Sequence, residues 1–85
     1  METIRAYAFA IDGGETAFVP VNESDGRDIV ILPEELALFY EDEVASPPQE
    51  LLTRVQRACS GFAVLPEEVY FSEIRYADYV NAEGV

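Results

Sequence analysis

Large and small side chains alternate with a period of two near the start of the chain. Residues 3–11 place Arg5 and the aromatic residues on one side of a strand, and Ile4 with three alanines on the other. Because one whole side carries small residues, we expect another element, most simply a helix, to pack closely there. Two further apolar segments, 15–22 and 28–32, predict the next strands of the same sheet.

Turn signals separate these segments. Asp12–Gly14 predicts a hairpin, because glycine adopts a positive φ without steric cost. The polar residues 22–27 predict a second turn. Pro20 cannot donate a hydrogen bond within a sheet, so the strand that contains it is predicted to lie at an edge or a bulge.

A first helix is predicted from Pro33 to about Val44. Proline suits the first helical position, and Glu34 and Glu35 would then lie at the positive end of the helix dipole. The apolar residues of this segment would face the core.

A second helix is predicted at about residues 48–59. Its apolar residues follow the spacing i, i+1, i+4, i+7, i+8 and form one stripe, made of Leu51, Leu52, Val55, Ala58 and Cys59. Gly61 lies where a left-handed C-terminal cap is expected. Because Cys59 belongs to the stripe, we expect it to be a core residue and not a nucleophile.

The C-terminal part predicts a short strand at 62–65 and another at about 69–77, which is rich in β-branched and aromatic residues. Helical spacing of some apolar residues leaves a helix open for the second segment. The whole chain predicts one acidic α+β domain over residues 1–85. We expect a small antiparallel sheet of about four to five strands, with two helices packed on one face.

The charge of the chain narrows the functions to consider. Acidic residues number 17 against 5 arginines, which gives a formal net charge of −12, and there is no lysine, histidine or tryptophan. Such a domain does not bind phosphate backbones or anionic membranes by its own field. The missing side chains include the commonest general base and the lysine of phosphate loops. We therefore expect no enzyme, no cofactor and no direct nucleic-acid partner.

Three further expectations follow from composition and spacing. A calcium loop over residues 21–28 fails because Val21 would occupy the first ligand position, so we expect no metal site. No apolar stretch near the N-terminus has the length of a signal peptide or membrane span, which predicts a cytoplasmic protein. Like charges repel, so we expect a monomer or a homodimer joined through an apolar contact.

An acidic face is predicted on the first helix. At about 100° per residue, Glu34, Glu35, Glu41 and Asp42 fall within an arc of about 120°, with Leu38 exposed among them, whereas Glu43 falls among the apolar residues. The acidic turn that precedes this helix could extend the surface. The predicted partner-binding residues are Glu34, Glu35, Leu38, Glu41 and Asp42, extended by Glu23, Asp25 and Asp28.

The leading hypothesis is a non-enzymatic inhibitor that binds a basic, nucleic-acid-binding protein or nucleoprotein complex and blocks access of nucleic acid. Its short, acidic chain resembles, as a class, the small phage-encoded inhibitors of restriction and CRISPR complexes, and its compartment would then be the host cytoplasm. One alternative is a subunit or adaptor that binds a partner through an apolar strand or through Tyr70, Phe71, Tyr76 and Tyr79. Another is an immunity protein that neutralises a basic toxin. A surface that is acidic only for solubility is the simplest alternative.

Overall fold

The computed structural model describes most of the chain, and the description of some segments is confined to the backbone. The described residues are 2–11, 14–26, 28–58 and 64–82, with the backbone alone for 23, 39–44 and 64–68. The predicted hairpin glycine Gly13, the core cysteine Cys59 and the cap Gly61 lie outside them.

The described residues form five strands, two helices and two short 3-10 turns. In chain order these are β1 (Thr3–Ile11), β2 (Glu15–Pro20), the turn Glu23–Asp25, β3 (Val30–Pro33), the turn Glu34–Leu36, β4 (Phe39–Val44), α1 (Gln49–Ala58), β5 (Val64–Arg75) and α2 (Tyr76–Asn81). The strands make one antiparallel sheet in the order β3-β2-β1-β5-β4. The predicted α+β class, with an antiparallel sheet and two helices, is confirmed.

The sheet is strongly curved, as the connection between its two outer strands shows. From Pro33 at the end of β3 to Phe39 at the start of β4, the chain spans at most about 22 Å. On a flat sheet these residues would be about 28 Å apart, because four strand spacings separate them sideways and about 20 Å separates them along the strands. The edges therefore approach each other, and residues 34–38 cross from one edge to the other.

The core has two parts, one on each side of the sheet. The first part contains Phe9, Val19 and Val69, and the partly buried stripe of α1 packs on it. The second contains the small face of β1 and Phe18, and α2 packs on it through Tyr79. The two helices thus cover opposite faces and not the one face expected. The close-packed helix predicted against the alanines is present, but α2 supplies it.

The predicted helix over residues 33–44 is wrong. Only the single 3-10 turn Glu34–Leu36 forms, no side chain caps it, and Ala37 has already returned to an extended conformation. The Leu38 N–H then donates to the Glu73 carbonyl at 2.8 Å, and Phe39–Val44 continues as a strand beside β5. The aromatic and β-branched residues of this segment favour a strand once a neighbour is there to pair with.

The C-terminal part also differs from expectation in its boundaries. One strand, β5, takes the place of the two predicted strands. Its pairing with β1 shifts in register between Phe9 and Ile11, so an irregularity within one strand replaces the expected gap between two. The chain becomes helical at Tyr76, so the strand and helix readings of this region each hold for part of it.

Pro20 lies in an inner strand, which corrects its expected place at an edge or bulge. The β2–β3 pairing ends at Phe18, so no β3 residue faces Pro20. The Val21 N–H donates to the Arg5 carbonyl at 3.0 Å, which places the proline nitrogen on the side away from β1. The missing donor is therefore tolerated.

Candidate functional site

The predicted acidic face does not exist as a helical face. Glu34 and Glu35 are exposed in the 3-10 turn, and Leu38 is 41% exposed just beyond them. Glu41 and Asp42 belong to β4, so the helical angles that grouped them with Glu34 and Glu35 do not apply. What remains is the short segment Glu34–Leu38, which we call the acidic crossover. Its Glu34, Glu35 and Leu38 are exposed, whereas Leu36 and Ala37 are half-buried.

The acidic turn, which contains Glu23, Asp25 and Asp28, is separate in the chain from the acidic crossover. It begins with Glu23 in the turn Glu23–Asp25, where the Ser24 N–H donates to the Asn22 side chain at 3.1 Å. Asp25 is half-buried and Asp28 is exposed. Because β3 runs between the two segments, about 10 Å of strand separates them. The described side chains of the predicted residues, those of Asp25, Asp28, Glu34, Glu35 and Leu38, therefore belong to two segments of the chain, and the side chains of Glu23, Glu41 and Asp42 lie outside the description.

A cleft that sequence reasoning missed lies on the α1 side of the sheet. Its volume is about 230 Å³, and it opens between the end of β2, the acidic turn and the start of α1. The lining residues are Tyr7, Val19, Pro20, Val21, Gly26, Pro48, Glu50, Leu51 and Arg54. The sequence predicts the strand and helix that form it but carries no signal that brings them together.

An aromatic strip continues from the cleft along the same face. The Tyr7 ring centroid lies 5.3 Å from that of Phe71 and 6.4 Å from that of Phe9. The Arg5 guanidinium stacks over Phe71, 4.1 Å from the ring centroid. Tyr7 and Phe71 are half-buried, so α1 leaves part of this strip accessible. Of the aromatic residues considered for partner contact, Phe71 is thus on an open face.

Tyr79 has a structural role that the sequence did not reveal. Its hydroxyl accepts the Asp28 backbone N–H at 3.0 Å and donates to the Asp28 carbonyl at 3.1 Å. Burial raises the pKa of Tyr79 above its usual value of 10, and the Asp28 backbone hydrogen bond opposes that rise. Since Gly26 packs against the same ring, Tyr79 holds the turn that forms one wall of the cleft.

The arrangement offers binding chemistry. In the described part of the chain, no three histidine, cysteine, aspartate or glutamate side chains converge as metal ligands would. The cleft is lined by apolar side chains, the Glu50 carboxylate and the Arg54 guanidinium, a combination that suits recognition of a side chain.

Comparison with known proteins gives no relative from which function could be transferred. Neither a protein-family model nor a curated protein or solved structure matches this chain. Within the described ranges, no helix has the length and apolar character required to cross a membrane.

Proposed function

We propose that this chain is a non-enzymatic inhibitor that binds a basic, nucleic-acid-binding protein and competes with nucleic acid for it. The observation that carries the proposal is the acidic crossover on a chain of net charge −12. It presents two exposed carboxylates and an exposed leucine within five residues. That combination fits a partner surface which is basic and partly apolar.

Competition follows from the charges that the partner must use. Arginine and lysine side chains that hold phosphates would instead meet Glu34 and Glu35, and Leu38 would lose water against the partner. The remaining negative charge of the chain attracts the partner over distance, so association is fast at low salt and slows as salt rises. Nucleic acid and this protein would then exclude each other.

The test separates a local acidic site from overall charge. Immobilised wild-type protein is compared with the Glu34→Gln, Glu35→Gln double variant and with a Glu2→Gln, Asp78→Asn control, whose two residues lie outside both the crossover and the cleft. Both variants have the same net charge of −10; Glu34, Glu35 and Glu2 are exposed, and Asp78 is half-buried. Proteins retained from a native lysate at low salt are identified, purified and titrated against each form.

Under the proposal, the retained protein binds duplex DNA or RNA, and nucleic acid displaces it from the wild type. The crossover variant weakens binding several-fold more than the charge-matched control. Equal effects of the two variants would show that the crossover is not the site. Affinity that does not change with salt would exclude charge-led binding altogether.

A second candidate function is an adaptor that binds its partner through apolar contacts, because the cleft and the aromatic strip lie open on the α1 face. In that case Phe71→Ala weakens binding, and neutralising the crossover leaves it intact. An immunity protein that neutralises a basic toxin would use the same charges as the inhibitor. A toxin gene beside this one would favour that form of the proposal.

A further inference from the structure

We infer that the cleft receives one aromatic side chain with a polar tip, tryptophan or tyrosine, from a basic partner protein. The inference rests on the proposed function in one respect, namely that the ring is supplied by a protein. It adds a place where that protein is anchored and the kind of residue that anchors it.

The size of the cleft fits one side chain. Its volume of about 230 Å³ exceeds the roughly 150 Å³ of an apolar cavity that binds benzene. It falls below the roughly 300 Å³ at which pockets for whole small-molecule ligands begin. A single aromatic side chain lies between these limits, and a nucleotide does not.

The lining has an apolar floor and a polar mouth. Val19, Val21 and Leu51 supply aliphatic contacts, and Tyr7 adds a ring. Glu50 and Arg54 line the same cleft one helical turn apart. An indole N–H or a phenol O–H can donate to the Glu50 carboxylate while its ring contacts the floor. Residues with this dual character are common anchors of protein interfaces.

The surroundings favour a basic partner over a second copy of this chain. Gly26 lines the cleft, and Asp25 beside it and the exposed Asp28 belong to the same turn. A partner residue in the cleft would therefore have the carboxylates of Glu50, Asp25 and Asp28 around it against the one guanidinium of the lining, Arg54. A second copy would instead bring another net charge of −12 to this place, and like charges oppose that contact.

The cleft wall is held in place before any partner arrives. The two hydrogen bonds between Tyr79 and Asp28 fix the turn from the opposite side of the sheet. A wall that is already ordered loses little conformational entropy on binding, which strengthens a small contact.

The first test titrates the whole protein with blocked amino-acid amides and follows backbone amide signals by NMR. N-acetyl-tryptophanamide and N-acetyl-tyrosinamide should shift signals of Val19, Val21, Glu50 and Leu51 in a saturable way. N-acetyl-leucinamide should shift them less, and N-acetyl-argininamide should leave them unchanged. Shifts with the arginine amide alone, or with none of the amides, would overturn the inference.

The second test fills the cleft. Val21→Phe places a ring in it, and Val80→Phe makes the same change at an exposed site on α2. We expect the first variant to weaken binding of the tryptophan amide at least about tenfold and the second to leave it unchanged. Glu50→Gln should weaken binding of the tryptophan amide by a smaller factor. Because this change leaves the helix surface in place, it tests the contact with Glu50 even if Val21→Phe folds poorly. An unchanged affinity in both cleft variants would contradict the inference.

The outcome for the cleft is distinguishable from that for the proposed function. If a retained basic protein binds Val21→Phe as well as the wild type, with unchanged salt dependence, the cleft is not its anchor and the charge-led inhibitor stands. If the aromatic amides bind the cleft but no basic, nucleic-acid-binding partner is retained, the cleft stands and the inhibitor fails.

Discussion

The two faces of the sheet are built from the same strands but differ in what covers them. On the face under α2, small residues of β1 lie against Phe18, Val30 and Ile74, and each of these three is nearly or fully buried. On the face under α1, larger rings replace the alanines, and the helix covers only part of them. Tyr7 and Phe71 therefore remain half-exposed beside the cleft.

This difference indicates which face can bind a partner while the protein stays folded. Alanines allow the short helix α2 to approach the sheet closely, and the hydroxyl of Tyr79 fastens the turn on the far side. On the α1 face Phe9 is fully buried, but Tyr7 and Phe71 stay half-exposed beside the helix of ten residues. We expect the α2 face to hold the fold together and the α1 face to make contacts.

The largest expected effect is loss of a ring from the α2 face. Phe18→Ala removes a fully buried side chain and should lower the free energy of unfolding by about 3–5 kcal/mol. A chain of this size has only about 5–10 kcal/mol to lose. Urea unfolding followed by circular dichroism measures the change.

The matched change on the other face is Phe71→Ala. Since this ring is half-exposed, the expected loss is about 1–2 kcal/mol, and the loss of the Arg5 stack adds little. Equal losses in the two variants would show that the two faces contribute equally to the free energy of unfolding, which would contradict the expected difference between them.

A second pair of substitutions tests the contact between Tyr79 and the turn at Gly26. Gly26 has a φ of +141°, and a Cβ there would meet the Tyr79 hydroxyl at 2.5 Å, whereas a Cβ at Gly14, with a φ of +76°, meets nothing within 4 Å. Gly26→Ala should cost at least about 2 kcal/mol, and Gly14→Ala about 1 kcal/mol. Thermal unfolding of both variants measures the difference. If Gly14→Ala is the more damaging, the contact with Tyr79 is not tight.

Removal of one hydroxyl gives a smaller effect with a distinctive pH dependence. Tyr79→Phe loses both hydrogen bonds to Asp28 and should cost about 1–2 kcal/mol at pH 7. The folded pKa of Tyr79 lies above its unfolded value of 10, so its contribution is complete below pH 10 and falls as the pH rises further. The wild type should therefore lose stability above pH 10 faster than Tyr79→Phe does.

The half-buried Tyr76 supplies the control for this experiment, because it lies on the same helix. Tyr76→Phe keeps the Tyr79 hydroxyl and its hydrogen bonds, so this variant should still lose stability above pH 10. Parallel curves for all three proteins would show that the Tyr79 hydroxyl is not sequestered in the folded state.

Local sequence patterns were sufficient to predict the elements that bury one regular face. The alternation in residues 3–11 and the stripe beginning at Leu51 predict β1 and α1, because one buried face per element leaves a regular trace. The same reasoning predicts β2 and β3. The fold class was therefore predictable from the sequence.

For residues 33–44, the local sequence pattern does not determine the secondary structure. Glu34 and Glu35 after Pro33 match a helix start, and that signal produces one turn. The continuation depends on β5, a partner about thirty residues further along the chain, whose position no local pattern encodes. The helix on which the acidic face was predicted does not form, although the exposure of Leu38 was correctly predicted.

The cleft could not be predicted for a related reason. Its lining comes from β1, β2, a turn and α1, so it exists only once these elements are placed against each other. The hydrogen bonds of Tyr79 join residues 51 positions apart in the chain. The sequence alone therefore gives the net charge of this protein but not the position of its cleft.

The smallest expected effect is a gain in stability on the α2 face. The hydroxyl of Ser72 is buried and has no hydrogen-bond partner among the residues whose side chains are described. Ser72→Ala should raise the free energy of unfolding by up to about 1 kcal/mol, because a buried polar atom without a partner is replaced by hydrogen. Thr3→Val is the control, since the Thr3 hydroxyl donates to the Glu73 carboxylate at 2.7 Å and its loss should cost about 1 kcal/mol. A loss of stability in Ser72→Ala as well would mean that this face holds a water or another polar partner, and that it is less dry than the packing of its alanines implies.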